Sequence, residues 1–301
     1  EYREKIGIRT VRIEGTQILL NDRPVYLKGF GKHEDSAFHG RGMDVCLDVK
    51  DVNLIHWLHA NSFRTSHYPY AEEMYRLCDR EGIVIIDEVP AVGIGAGAGI
   101  NPYETFPIRE HHEQVIKDMI ARDKNHPCVV MWSLGNESGS GSNFMILHDY
   151  FKEQDPSRLV HYEGITQDRT FENASDIESR MYTSPENVKA YLESHPMKPF
   201  MLCEYMHAMG NSLGGMEEYT NLEDEYEQYQ GGFVWDYVDQ AILKDGQYYY
   251  GQDFDDYPND SNFCGDGILL ANREETGKSQ ELKQLYRYVD MEIHFDSVTI
   301  K

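Results

Sequence analysis

The chain has 301 residues and a formal net charge of −24, a field that repels nucleic acid and anionic lipid, because binding to either is built on clustered Lys and Arg. No apolar run approaches the roughly 20 residues that a bilayer-spanning helix needs, which argues against a membrane protein. A hydrophobic content of 40% supports one large core, and a single α/β barrel takes roughly this much chain.

In chain order, Glu1-Tyr2-Arg3-Glu4-Lys5 has no apolar h-region, so no signal peptide is read, and it reads equally as a cut inside a longer protein. Residues 1–24 form a β lead-in, with a two-stranded piece over Ile6–Val25 that turns at Asn21-Asp22. From residue 25 to 301, apolar and β-branched segments alternate with amphipathic ones about eight times, which implies a parallel sheet with crossover helices. The predicted strands are Val25–Phe30, Ser62–Ser66, Ile83–Glu88, Val129–Leu134, Leu159–Tyr162, Asp176–Met181, Phe200–Glu204 and Gly232–Tyr237. Eight such strands close a (β/α)8 TIM barrel. Helical stripes lie between them at Met74/Leu77/Cys78, Val115/Ile116/Met119/Ile120 and Phe144/Leu147/Phe151, with Gly82 and Pro127 as stops. Gly93–Gly99 reads as a loop after the third strand, and Asp245-Gly246 as a hairpin turn leading to Tyr248-Tyr249-Tyr250, a lid or plug on the barrel. His111-His112 with Glu110 and Glu113 lack the H-E-x-x-H spacing and read as a solvated helix face. Cys46, Cys78, Cys128, Cys203 and Cys264 contain no C-x-x-C pair and read as buried thiols in the reducing cytoplasm.

Barrel active sites lie at the C-terminal ends of the strands, so polar residues that terminate apolar runs are the candidates. These are His33-Glu34-Asp35, His67-Tyr68, Asp87-Glu88, Asn136-Glu137, Glu163, Met181-Tyr182, Glu204-Tyr205 with His207, and Trp235-Asp236. Acids and aromatics on one rim suit a polyhydroxylated ligand. Glycoside hydrolysis needs one protonated and one ionised carboxyl flanking the scissile bond. Glu137 and Glu204, closing the fourth and seventh strands, are the natural pair, and Asn136 is placed to donate to a sugar hydroxyl.

Several strings carry a family resemblance across nearly the whole chain. Asn125-His126-Pro127 and Trp132-Ser133-Leu134-Gly135-Asn136-Glu137-Ser138-Gly139 resemble the acid/base signature of glycoside hydrolase family 2. Leu202-Cys203-Glu204-Tyr205-Met206-His207-Ala208-Met209-Gly210-Asn211-Ser212 resembles the nucleophile segment of its β-galactosidases, as do Gly231–Asp236 and Pro258-Asn259-Asp260 with Phe263-Cys264. The first third, including Gly29–Asp35, Ala60–Tyr70 and Ile86–Gly93, looks closer to the family's β-glucuronidases, so the chain reads as a mosaic that changes character near Arg122–Trp132.

The resemblance implies a retaining exo-β-glycosidase with Glu137 as acid/base and Glu204 as nucleophile, and with Asp35, His67, Asn136, Tyr182, His207, Trp235 and Asp266 around the sugar. Within that set, Tyr182 donates to the nucleophile and Trp235 stacks on the sugar's apolar face. Asp35 stands where the family's galactosidases carry a first-strand His, and Asp266 where they carry an Asn. The glucuronidases' Asn-x-Lys triplet is missing between Trp235 and Lys301, which favours a β-galactoside over a glucuronide. Arg64 or Arg273 could still supply a carboxylate site, so a β-glucuronidase or other uronidase is the rival, and a non-catalytic sugar-binding barrel the reading from another class. No cofactor is expected to be required: family galactosidases hold magnesium through Glu-x-His after the third strand, whereas Glu88, where magnesium would sit, is followed by Val89-Pro90. The expected partners are a carbohydrate substrate, β-sandwich domains such as family members carry ahead of the barrel, and further copies in an oligomer.

Overall fold

This computed structural model describes residue 3 and residues 5–93 and 108–300. Apart from Gly93, the glycine-rich run lies outside them, as does most of Glu1–Lys5.

Eight parallel strands form one sheet: β1 (Leu27–Lys32), β2 (Ser62–Thr65), β3 (Val84–Glu88), β4 (Val129–Ser133), β5 (Leu159–His161), β6 (Glu178–Met181), β7 (Phe200–Tyr205) and β8 (Tyr229–Val234). Their spatial order is β5-β4-β3-β2-β1-β8-β7-β6. β1 pairs with both β2 and β8, so the sheet curls and brings its edges, β5 and β6, together. That seam lacks a strand ladder and is bridged by Asp176 N donating to Val160 O at 2.8 Å and by His161 Nε2 with Ser179 Oγ at 2.8 Å. The expected TIM barrel is what forms.

Helices α1 (Val45–Trp57), α2 (Glu72–Glu81), α3 (Ile108–Asp123), α4 (Ser142–Gln154), α5 (Pro185–Glu193) and α6 (Gly277–Leu285) pack outside, and short helical turns replace full helices after β5 and β7. Local chemistry sets their ends. Asp44 caps α1 by accepting from Leu47 N, Ser184 caps α5 ahead of Pro185, and Gly82 closes α2 in the left-handed region. The apolar stripes read from sequence face the core, with Met74, Phe144, Leu147 and Phe151 fully buried. Among the described residues no helix is long and apolar enough to cross a membrane.

Period-2 alternation sorts the strands' inward faces by height. Leu27, Val84, Ile86, Met131, Leu159, Ile177, Met201 and Phe233 form an apolar layer at the bottom of the barrel, closed from below by Ile18 of the lead-in. Two positions further along come Glu88, Ser133, His161 and Ser179, joined by Arg64 of β2 and by Glu204, three positions beyond Met201, all buried.

Four expectations are corrected. The lead-in has three antiparallel strands, Val11–Glu14, Gln17–Leu20 and Arg23–Pro24, because Gly15 makes a first turn before the one at Asn21-Asp22. The last barrel strand runs from Tyr229 to Val234 rather than from Gly232 to Tyr237, since Gly231 already lies inside its ladder, opposite Leu27. Cys46 is exposed and Cys264 only partly buried, although all five thiols are free as expected. His112 is buried against Phe144, not solvated, and burial holds its imidazole down at about 4. The Asp245-Gly246 hairpin forms as read, joining Ile242–Lys244 to Gln247–Tyr249.

Candidate active site

Arg64 on β2 is a fully buried polar residue of the mouth. An arginine inside an apolar strand is tolerable only if acidic and carbonyl acceptors surround it. Its Nε donates to Glu88 Oε2 at 2.6 Å, Nη1 to Glu204 Oε1 at 2.6 Å, and Nη2 to Asn136 Oδ1 at 2.7 Å and Glu88 Oε1 at 3.1 Å. One guanidinium therefore ties the ends of β2, β3 and β7 to the turn after β4.

Glu88 completes the floor. Burial alone would raise its carboxyl, but Arg64 and His67 hold it down at about 2. An ionised carboxylate only accepts, so the 2.7 Å contacts from His67 Nδ1 and Ser133 Oγ are both donations. The Ser133 hydroxyl, donating to Glu88, accepts from His161 Nδ1 at 2.9 Å, and burial keeps that histidine neutral with its pKa near 3. His67 is thus oriented by Glu88, and its ring lies flat against Trp235 at 5.2 Å and 7°. Trp235 fits there because Gly31 has no side chain: a Cβ would meet the indole at 2.5 Å.

Glu204 carries a second donor, Tyr182 Oη to Oε2 at 2.8 Å. Burial and the Glu204 charge push the Tyr182 hydroxyl far above its ordinary value, so it remains a donor. Glu137 receives Asn136 Nδ2 at 3.3 Å on Oε2, while its backbone N–H donates to Glu163 Oε1 at 2.6 Å. The Glu137 carboxyl is raised by burial and next by the charge of Glu204. Glu137, Tyr182 and Met206 all sit with φ near +50°, each costing about 1 kcal/mol or more in an L-residue. The turn bearing Glu137 is clamped by Gly93, where a Cβ would meet Glu137 O and Ser138 Cα at 2.6 Å.

The remaining candidates fall into two groups. Trp235 Nε1 donates to Asp266 Oδ2 at 2.9 Å, and His207 Nε2 stands 3.9 Å from the same oxygen. Asp266 Oδ1 is buried without a partner, and burial raises the carboxyl. Asp35 is half-buried with its carboxylate accepting from Ser36 N, and no hydrogen bond joins it to the Arg64 cluster among the described residues; His33 is the β1-end residue packed edge-on to Trp235 at 5.4 Å. Asp87 of the strand-end set points outward to Tyr75 Oη at 2.6 Å.

The sequence reading named Arg64 only as a stand-in carboxylate binder and missed it as the hub, although a charge in mid-strand was the signal. It placed Glu163 among the strand ends but gave it no role. Beside Glu137, a cleft of about 450 Å³ opens between Glu163, Thr166, Gln167, Arg169, Arg180 and Met181. As a magnesium ligand Glu88 does not fit, because Arg64, His67 and Ser133 already donate to its two oxygens. His161, Glu163 and Cys203 bring donor atoms within 4.8 Å of one another, but both His161 nitrogens are engaged by serines and the Arg64 charge acts on Glu163 and Cys203, which disfavours a cation there.

Known proteins share this architecture. Residues 11–291 match the model described as Glycosyl hydrolases family 2, TIM barrel domain. A β-galactosidase of Halalkalibacterium halodurans is 42% identical over 99% of this chain and 31% of its own length, and a β-galactosidase large subunit of Lactobacillus acidophilus is 41% identical over 94% of the chain and 48% of its own length. Among solved structures, a Faecalibacterium prausnitzii β-glucuronidase aligns with TM-score 0.77 and 38% identity over 95% of this chain and 52% of its own. The chain thus spans between about a third and a half of the length of these relatives. It belongs to the glycosyl hydrolases of family 2 and contains that family's TIM barrel domain.

Proposed function

We propose that this barrel is the catalytic unit of a retaining exo-β-galactosidase, with Glu204 as nucleophile and Glu137 as acid/base. The observation that carries the reading is the contact chain Glu204–Arg64–Asn136–Glu137, which supports the two carboxyls from one guanidinium and leaves them in different environments. Glu204 accepts from a guanidinium and a phenol, whereas the Glu137 carboxyl is raised by burial and next by the charge of Glu204. Glu204 attacks the anomeric carbon as the Glu137 proton passes to the leaving oxygen; Glu137 then takes a proton from water, which displaces Glu204 and restores the starting anomeric configuration. Trp235 offers a face to the sugar, and Asn136, His67, His207, Asp266, Asp35 and Tyr182 surround its hydroxyls and the nucleophile. No magnesium at Glu88 is needed for these steps.

Substrate choice turns on cations. A buried substrate carboxylate needs a partner, and both arginines that could serve are occupied. Arg64 holds Glu88, Glu204 and Asn136, and Arg273 holds Asp51 and the Asp35 and Ala271 carbonyls. Lys32 is likewise paired with Asp51 at 3.1 Å. An uncharged galactoside is therefore preferred, in line with the names of the sequence relatives. The likeness to solved β-glucuronidases favours the rival reading. Measuring kcat/KM for nitrophenyl galactoside and glucuronide decides between them: galactoside should lead, and a glucuronide preference of about tenfold or more overturns the assignment. Proton NMR of the first-formed anomer should show retention.

A further inference from the structure

Glu163 closes β5 and has no part in the two-carboxylate scheme. It is 6% exposed, its Oε1 accepts the Glu137 N–H at 2.6 Å, and its Oε2 is buried with no hydrogen-bond partner. The residue it holds, Glu137, stands on a left-handed backbone that an L-residue adopts only when its surroundings enforce it. The groups facing Glu163 are Arg64 from β2, Glu88 from β3, Glu137 after β4, His161 on β5 itself and Cys203 on β7, with Arg169 and Arg180 lining the adjoining cleft.

We propose that Glu163 is the positioning residue for Glu137: as an uncharged carboxylic acid it accepts the Glu137 N–H, fixes the left-handed turn, and so aims the Glu137 carboxyl at the leaving oxygen. The inference rests on the acid/base reading of Glu137. Its physical logic is charge economy. An ionised Glu163 would leave one carboxylate oxygen buried and unpaired and would add a negative charge beside Glu88 and Glu137, while Arg64 already serves Glu88, Glu204 and Asn136. A proton on Oε2 removes the charge, so that the unpaired buried atom belongs to a neutral hydroxyl, which costs less to bury than a carboxylate oxygen, and it leaves Oε1 free to accept. Consistent with this, burial pushes the Glu163 carboxyl up to about 8.

The test compares the full chain with Glu163→Ala and Glu163→Gln. Amide hydrogen exchange at Glu137, which needs no turnover, should accelerate about tenfold or more in Glu163→Ala and stay near the parent rate in Glu163→Gln, whose side-chain carbonyl still accepts. Turnover should split by leaving group. Glu163→Ala should lose about a hundredfold on phenyl galactoside, which needs proton assistance, and only a few-fold on dinitrophenyl galactoside, which does not. Glu163→Gln should restore most of the loss and hold its activity further into alkaline pH, because it cannot ionise. Unchanged exchange in Glu163→Ala, or equal losses on both leaving groups, would overturn the proposal. If the parent chain turns over no glycoside, the assigned function fails, and exchange alone then decides whether Glu163 holds the turn.

Discussion

The two ends of the barrel are built by the same strands and obey opposite rules. At the bottom, Ile86, Met131 and Met201 meet with nothing to satisfy but van der Waals contact. At the top, two residues along β3 and β4, Glu88 and Ser133 belong to a network in which every hydrogen bond has a specified direction. Apolar packing tolerates exchange of like-sized side chains, whereas the buried ionic network fails if a single member is removed. Stability can thus be altered below without touching the chemistry above, but the reverse does not hold.

The strongest way to break this contrast is Arg64→Ala, which strands Glu88 and Glu204 without their cation. The expected cost is about 3–5 kcal/mol in urea unfolding, together with loss of activity. A loss under about 1 kcal/mol would show that water or relaxation replaces the guanidinium. Met131→Ala tests the other end: stability should fall by about 2–5 kcal/mol, while kcat of the folded protein stays unchanged. A large fall in kcat would mean that the two layers are coupled. Tyr182→Phe is milder, removing one donor from Glu204 and lowering kcat about tenfold to a hundredfold, with little change in the midpoint of unfolding.

The smallest effects are in pH. Glu88, depressed to about 2, contributes stability above the ordinary carboxylate range that is lost as pH falls toward 2. Glu163, raised to about 8, has the opposite sign: its contribution is complete in acid and disappears as pH rises from the ordinary carboxylate range through about 8. Glu163→Gln should therefore gain about 2–4 °C in melting temperature over the parent at pH 9 but not at pH 4. Equal shifts at both pH values would place the Glu163 proton elsewhere.

Much of this was legible from local signals. Strand ends follow from apolar runs that stop at a polar residue, and Glu137, Glu204 and Glu88 stand at such stops. What periodicity could not show is which acids share a partner, because Arg64 gathers groups 24 to 140 residues away in the chain. The role of Glu163, itself a strand-end residue, went unread for a related reason: its partner is the backbone N–H of Glu137, which has no side-chain signature. The strand through Gly231 was misplaced because glycine usually marks a break, whereas here its missing side chain lets β8 approach β1.

The seam between β5 and β6 makes the barrel a split ring rather than a welded one. A split ring yields first at its gap, and the cleft beside Glu137 lies over that gap, between Glu163 at the end of β5 and Arg180 and Met181 at the end of β6. Among the described residues, only side-chain and single backbone bonds such as the His161–Ser179 clasp and Asp176 N to Val160 O hold the gap, whereas each neighbouring pair of strands is joined by a ladder. Arg64, anchored on the opposite arc, holds Glu204 from the side of the ring that is fully laddered.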